Sequence, residues 1–416
     1  LEILFYGALM LCGVAMWSRM PATPRFMIHA QVLAGRREDE RIGKLLDNRR
    51  QVDFHLLLLM VALGMSVVAL ANDLFVLFIG LELASLSSYV LVAFMKETDE
   101  APEAGMKYFI VGSVASAIGL YGISLLYLWN GNLQIPDLAA NWQAMDGIDP
   151  LALAGLGFII VTIGFKVSSA PFHLAAPDAY SGAASPVAGL LATASKAMGF
   201  VVLLRVLVAI TMPESGEAFW VPIIGLLAAV TMTWGNFGAL SSENPKRMLA
   251  YSSVAHAGYL LAAVAALGIN ASREGDHVVA ELIVAAMLFH LTVLVLFKLG
   301  SFLVLSMLES EGRGSRLEDL YGLAKREPLI ATALFIFMLS LAGVPPLSGF
   351  LSKLLLVSGI IDATVHNTMS FDEGVVAAIR SLHWVFFLAL LVFLNSALSL
   401  FYYLRVGWVM FFEEPA

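Results

Sequence analysis

The segment IGFKVSSAPFHLAAPDAYSGAASPVAGLLATASKAMGF, residues 163–200, sets Lys166, His173, Asp178 and Lys196 between long apolar runs and adds prolines at 171, 177 and 186. Charges and helix breakers of this kind are expensive at membrane depth. The flanking text nevertheless reads as membrane. The chain has 416 residues, of which 59% are hydrophobic and 13% charged, against roughly 25% charge in a soluble domain. The expected fold is therefore all-α, a polytopic membrane helical bundle.

A bilayer crossing takes about 20 apolar residues. Eleven segments meet this: about 1–18, 54–71, 74–95, 104–129, 150–172, 185–210, 217–240, 249–269, 278–308, 328–361 and 381–412. Asn72-Asp73 makes a tight turn, and residues 19–53 read as a basic polar insert, either an amphipathic surface helix or a mobile loop. Alternate connections carry fifteen Lys/Arg on one side and only Arg273 and Arg380 on the other. The positive-inside rule puts the first set in the cytoplasm, so Leu1 starts outside and Ala416 ends inside. The chain opens on Leu1 inside an apolar run, and residues are expected to precede it.

Composition also excludes chemistry. Cys12 is the only cysteine, so neither a disulfide framework nor a thiolate-held cluster forms within the chain. There is no Walker loop and no HExxH, and the net charge of −8 gives no basic footprint for nucleic acid. No cofactor or metal is expected.

Two segments are interrupted, the fifth at Ala170-Pro171 and the tenth at GVPPLSGF, 343–350. Proline removes a donor and frees backbone carbonyls, which membrane depth tolerates only against protein or a wet cavity. Segments two to six and seven to eleven each place the break fourth of five. The boundaries read as 1–53, 54–210 and 217–412. Five is odd, so the second five-helix repeat would run inverted, as in many transporters; two unrelated proline kinks would leave the same text.

Lys107, Lys166, Lys196, Lys298 and Lys353 fall within spans, whereas of fifteen arginines only Arg205 and Arg405 do, near helix ends where they snorkel. Arginine stays protonated, while lysine can change state when buried. Glu82 is the one acid well inside a span, a partner for Lys107 or Lys166. His173 either relays protons between Lys166 and Lys196 or caps the broken backbone. His290 and Lys298, eight apart, share a helical face; His256 alone reads as buried packing, and Asp178 as a helix-terminus ligand.

At these residues the text becomes familiar. GFKVSSAPFHLAAPDAYSGAASPVAGLLATASKAMGF (164–200), LELASLSSYVLVAF (81–94), APEAGMKYFIVGSVASA (101–117), NPKRMLAYSSVAHAGYLL (244–261) and SLAGVPPLSGFLSKLLLV (340–357) resemble the antiporter-like subunits of proton-pumping NADH:quinone oxidoreductase, respiratory complex I. Within that family the text is most similar to subunit N (subunit 2), over about residues 54–412. The resemblance implies that Glu82 pairs with Lys166, that Lys196 is the connecting lysine and that Lys353 lies on the second broken helix toward the outer exit. It further implies that Lys107 and His173 belong to the same hydrated axis. It also implies fourteen helices in the bacterial subunit, of which these eleven would lack the first two and the last. The long 25–50 insert and FHLTVLVLFKLG (289–300), with His290 and Lys298, depart from subunit N and leave an archaeal or deazaflavin-linked relative open.

The expected function is that of a non-redox, proton-translocating subunit in the cell membrane. It would work beside other membrane-arm subunits and lipid, with quinone reduced elsewhere in the complex. A subunit of a multisubunit sodium/proton antiporter and a scaffold that no longer pumps are the alternatives.

Overall fold

The computed structural model describes residues 2–17, 38–96, 98–145, 147, 149–213, 216–269, 277–310, 314, 316–368 and 383–414. Among them the secondary structure is helical, apart from one isolated bridge between Asp73 and Gln134. The helices are α1 (Glu2–Trp17), α2 (Glu38–Leu70), α3 (Leu74–Val92), α4 (Glu100–Asn130), α5 (Ile135–Gln143), α6 (Pro150–Val167) and α7 (Ala175–Gly182). They continue with α8 (Ser185–Ile210), α9 (Val221–Leu240), α10 (Pro245–Leu267), α11 (His277–Ser310), α12 (Pro328–Ala342), α13 (Ser348–Thr368) and α14 (Phe386–Phe411).

Among the described residues, ten stretches are long and apolar enough to span, with α6 and α7 counted together; the apolar parts of α1 and α12 are shorter. The tenth expected segment, 328–361, is thus two helices, α12 and α13, and α13 runs on to Thr368, which brings Asp362 inside it. For the basic insert, the described part follows the helical of the two readings, joined directly to the next span. Residues 18–37 lie outside the described residues, but from Glu38 the chain is already helical and enters the membrane without a break. The reason is local: 38–53 is rich in Glu, Arg, Lys and Leu, good helix formers, with no proline to stop the helix.

Starts are set by side chains. Asp73 accepts from the Phe75 and Val76 amides at 2.8 and 3.1 Å, capping α3. Asp149 and Asn244 do the same for α6 and α10, each with proline at the first helical position.

Two helices form the interior. In α8 and α10 the apolar windows are 89% and 94% buried, against 33–67% in the other spans. These two are covered on nearly all sides, whereas the other helices bury only one face. Around them, α2 packs on α3 and α9 on α10 through small residues. A Cβ on Gly64 would stand 2.6 Å from the Gly80 carbonyl oxygen, and one on Gly258 would strike the Met232 backbone, so these backbones meet closely, as small-residue membrane interfaces do.

The two breaks are built alike. After α6, Ser168 takes a left-handed conformation (φ 58°) and the Ser169 amide returns to the Gly164 carbonyl at 2.8 Å. For serine that conformation costs roughly 1–2 kcal/mol. After α12, Gly343 (φ 89°) and the Val344 amide close on Leu339 at 3.1 and 3.0 Å. A cis X-Pro bond follows in each, Ala170-Pro171 and Pro345-Pro346. Neighbours satisfy the stranded groups: Thr231 Oγ1 accepts from the Ala170 amide at 2.9 Å, and Ser340 Oγ from the Gly349 amide at 3.2 Å.

Candidate functional site

Buried lysines and histidines converge on the interior helices from both breaks. Lys166 ends α6, Lys196 lies mid-α8, Lys298 is on α11 and Lys353 is in the second turn of α13; all four are nearly or fully buried. His173, His256 and His290 are buried with them.

At the first break, Lys166 Nζ lies over the Tyr89 ring, 5.5 Å from its centroid, and 5.8 Å from that of Phe165. The expected ion pair with Glu82 is not a direct contact. Glu82 accepts a 2.6 Å hydrogen bond from Ser116 Oγ and acts on Lys166 only through space. The geometry explains this. Lys166 sits beside Tyr89, two helical turns beyond Glu82 on α3, and two turns are about 10 Å.

Lys107 is a second correction. Its side chain is 51% exposed and pairs with Glu103 at 2.7 Å and Asp178 at 3.6 Å. It lies within two turns of the polar start of α4, so it reaches out to the rim and stands apart from the buried row. Asp178, in the first turn of α7, also pairs with Arg247 at 3.1 Å. Beside this rim, Lys246 and Glu309 pair at 2.7 Å, Lys246 donating to the Ala183 carbonyl (3.0 Å) and Glu309 accepting from the Ser185 amide (3.2 Å). That clamps the link between α7 and α8. Arg205 donates to the Val68 and Ala69 carbonyls at 2.8 and 3.2 Å, closing the end of α2.

His173 does not cap the break. Neither ring nitrogen has a hydrogen-bond partner, and the ring meets Trp234 edge-on at 5.5 Å. Lys196 Nζ and Ser253 Oγ are likewise buried without a protein partner. Such atoms are ordinarily satisfied by internal water, so this part of the interior is suited to hold it. A π turn over Leu191–Ser195 sets the orientation of Lys196; such turns concentrate at functional positions. Lys196 lies within electrostatic reach of His173, His256 and Lys298, which links the two halves.

Beyond Lys196 the groups touch directly. Lys298 Nζ donates to Ser252 Oγ at 2.9 Å, and Ser252 meets the Tyr403 hydroxyl. That hydroxyl lies 3.3 Å from His256 Nε2; His256 Nδ1 lies 3.1 Å from His290 Nε2, and His290 Nδ1 3.0 Å from Ser352 Oγ. Lys353 Nζ, one residue on, donates to the Ala342 carbonyl and to Ser396 Oγ, both at 2.8 Å, and lies 5.6 Å from the Tyr259 ring centroid. It borders a cavity of about 240 Å³ that Phe350, Val392 and Phe393 also line. Beside the row, Asn236 donates to Asn395 Oδ1 at 3.0 Å and Tyr259 at 3.2 Å and accepts from Tyr402 at 2.9 Å, tying α9, α10 and α14.

Of the expected residues, Lys166, His173, Lys196, Lys298, His290 and Lys353 share one buried row, with Glu82 half-buried at its edge and Lys107 outside it. Sequence reading undervalued His256 and missed Ser252, Tyr403, Ser352 and Ser396. The signal for the first two was Ser252 and His256 four apart on one face of a small-residue helix.

Among the described residues, no group of three or more His, Cys, Asp and Glu is placed to hold a metal ion. Fold and site together define a multi-pass α-helical membrane protein with a titratable interior row. A family model described as "NADH:quinone oxidoreductase/Mrp antiporter, TM" matches residues 71–379, and the chain belongs to that family. It is 40% identical over 369 residues to NADH-quinone oxidoreductase subunit N of Heliobacterium modesticaldum, covering 88% of this chain and 70% of that one. A chain of respiratory complex I from Thermus thermophilus is 34% identical with a TM-score of 0.67, covering 88% of this chain and 71% of that one. A chain of the Mrp complex from Dietzia sp. DQ12-45-1b is 26% identical with a TM-score of 0.71, covering 86% and 61%.

Proposed function

We propose that this chain is a proton-translocating, non-redox subunit of the membrane arm of a complex I-like quinone oxidoreductase, of the subunit N type. The observation that carries the reading is the buried row from Lys166 through Lys196 and Lys298 to Lys353, threaded by histidines, in a family whose description names that enzyme. The higher identity to subunit N than to the Mrp chain favours the redox-driven reading over sodium/proton antiport.

Redox chemistry and quinone reduction take place in other subunits. Their energy arrives as a conformational or electrostatic change that alters the distance between Glu82 and Lys166. Lys166 then releases its proton toward Lys196, and Lys353 completes transfer to the far side. Moving one charge through 100 mV takes about 2.3 kcal/mol, within the range by which a nearby carboxylate acts on a buried ammonium. Residues 54–210 and 217–412 act as two inverted repeats, a reading supported by the matching breaks. Leu1 lies outside and Ala416 in the cytoplasm, a reading supported by the placement of basic residues.

The test is Lys166→Met in the assembled complex, with proton uptake into inverted vesicles measured against electron transfer. The expected result is fewer protons per electron with assembly intact. An unchanged ratio would overturn the reading, and sodium-dependent transport without an electron donor would replace it with antiport.

A further inference from the structure

The contacts beyond Lys196 fix more than proximity, because the two ends of the chain determine which way every hydrogen points. Ser352 has one hydroxyl hydrogen and donates it to the Gly349 carbonyl at 2.9 Å. It can therefore only accept from His290 Nδ1. With that nitrogen protonated, a neutral His290 accepts at Nε2, so the hydrogen there belongs to His256 Nδ1. A neutral His256 then accepts at Nε2 from the Tyr403 hydroxyl. Tyr403 in turn accepts from Ser252, and Ser252 accepts from the Lys298 ammonium, which has no lone pair and can only donate. All six hydrogen bonds run the same way, from Lys298 toward Gly349.

We propose that Ser252 and Tyr403 are direct proton carriers between Lys298 and the His256–His290 pair, and that the Ser352 hydroxyl is the gate at the outer end. This inference rests on the proton-translocating reading above. The step balances without any co-reactant. The Lys298 ammonium gives one proton to Ser252 Oγ, the proton of Ser252 passes to the Tyr403 oxygen, and the phenolic proton of Tyr403 passes to His256 Nε2. Three bonds to hydrogen break and three form. Lys298 is left neutral, the two hydroxyls are regenerated, and the charge stands on His256, from which the Nδ1 proton moves on to His290 Nε2.

There the chain stops. A backbone carbonyl does not take a proton onward, and the Ser352 hydroxyl is turned onto one. Release from His290 Nδ1 therefore requires the Ser352 hydroxyl to turn away from Gly349. Ser352 lies in the first turns of α13, directly after the second break and next to Lys353. A shift of that half-helix would open the gate and present the proton to the Lys353 side. The chain loads while the break is in the observed conformation and unloads when it moves.

The experiment compares Tyr403→Phe, Ser252→Ala, Ser252→Thr and Lys166→Met in the assembled complex, reading protons pumped per electron, the solvent deuterium isotope effect on pumping, and assembly by native gel. The expected result is that Tyr403→Phe and Ser252→Ala lower the ratio as far as Lys166→Met does. Ser252→Thr, which keeps the hydroxyl but adds a methyl group at a fully buried position, should retain pumping with an isotope effect close to that of the unsubstituted protein. A packing role reverses the order, with alanine tolerated and threonine not, and overturns the proposal. Normal pumping by Tyr403→Phe and Ser252→Ala while Lys166→Met fails overturns the relay and leaves the proton-translocating reading standing. Normal pumping by all four overturns that reading itself. Should Tyr403→Phe fail to assemble, the Ser252 pair alone decides.

Discussion

Lys107 and Lys166 are both lysines in apolar helices, and only position along the helix separates them. Lys107 is near the polar start of α4 and finds Glu103 and Asp178 at the rim, while Lys166 ends a helix inside the bundle and finds an aromatic face. An exposed, carboxylate-paired amine contributes little by itself. Lys107→Met should therefore leave the proton-to-electron ratio near that of the unsubstituted protein in the vesicle assay that exposes Lys166→Met. A loss as deep as that of Lys166→Met would place Lys107 back in the row. Sequence spacing revealed that His290 and Lys298 share a face, because both belong to one helix. It did not reveal that His256 meets His290 from 34 residues away, since that contact depends on how α10 packs against α11. The same holds for Glu82: its depth in α3 was legible, whereas the two-turn offset from Lys166 depends on where the bundle sets the end of α6 along α3, beside Tyr89.

At the level of elements, the breaks were the most readable feature, because proline and glycine act on the backbone wherever they occur. That α2 extends back to Glu38 as one continuous helix was only one of two readings open for the insert, because its polar text suits a loop as well although its residues are strong helix formers. The π turn over Leu191–Ser195, the first of two in α8, had no textual mark at all, since LATAS would serve equally in a regular helix. Helix contacts are more local and give a sharper expectation. A side chain on Gly258 meets the Met232 backbone, which cannot rotate aside, while one on Gly157 meets nothing within 4 Å. Overpacking a tight contact costs about 1–3 kcal/mol or more. Gly258→Val should lower the amount of folded subunit recovered from membranes several-fold, with Gly157→Val as the unaffected control. Equal recovery of the two would mean that α9 and α10 are not held by close backbone approach.

On the scale of the whole molecule, the orientation proposed from the distribution of basic residues can be checked by labelling. Cys12 is fully buried, so the native protein offers little background to an impermeant maleimide. A cysteine replacing exposed Glu318 should react only when the cytoplasmic face is accessible, in inverted vesicles. One replacing exposed Asp137 should react only in right-side-out cells or spheroplasts. The opposite pattern would reverse the topology. The burial of α8 also bears on how this chain tolerates change. A π turn holds one residue more than a regular helix needs, so α8 can lose a single residue from Leu191–Ser195 and run as regular α-helix through that stretch, leaving the second π turn, Arg205–Ile210, in place. Length and greasiness would barely alter, and the cell's insertion machinery would have no reason to reject the product. Yet everything downstream would swing by about 100° relative to everything upstream, carrying the Lys196 amine out of line. A deletion invisible to any test of membrane integration would thus silence the connection between the two halves.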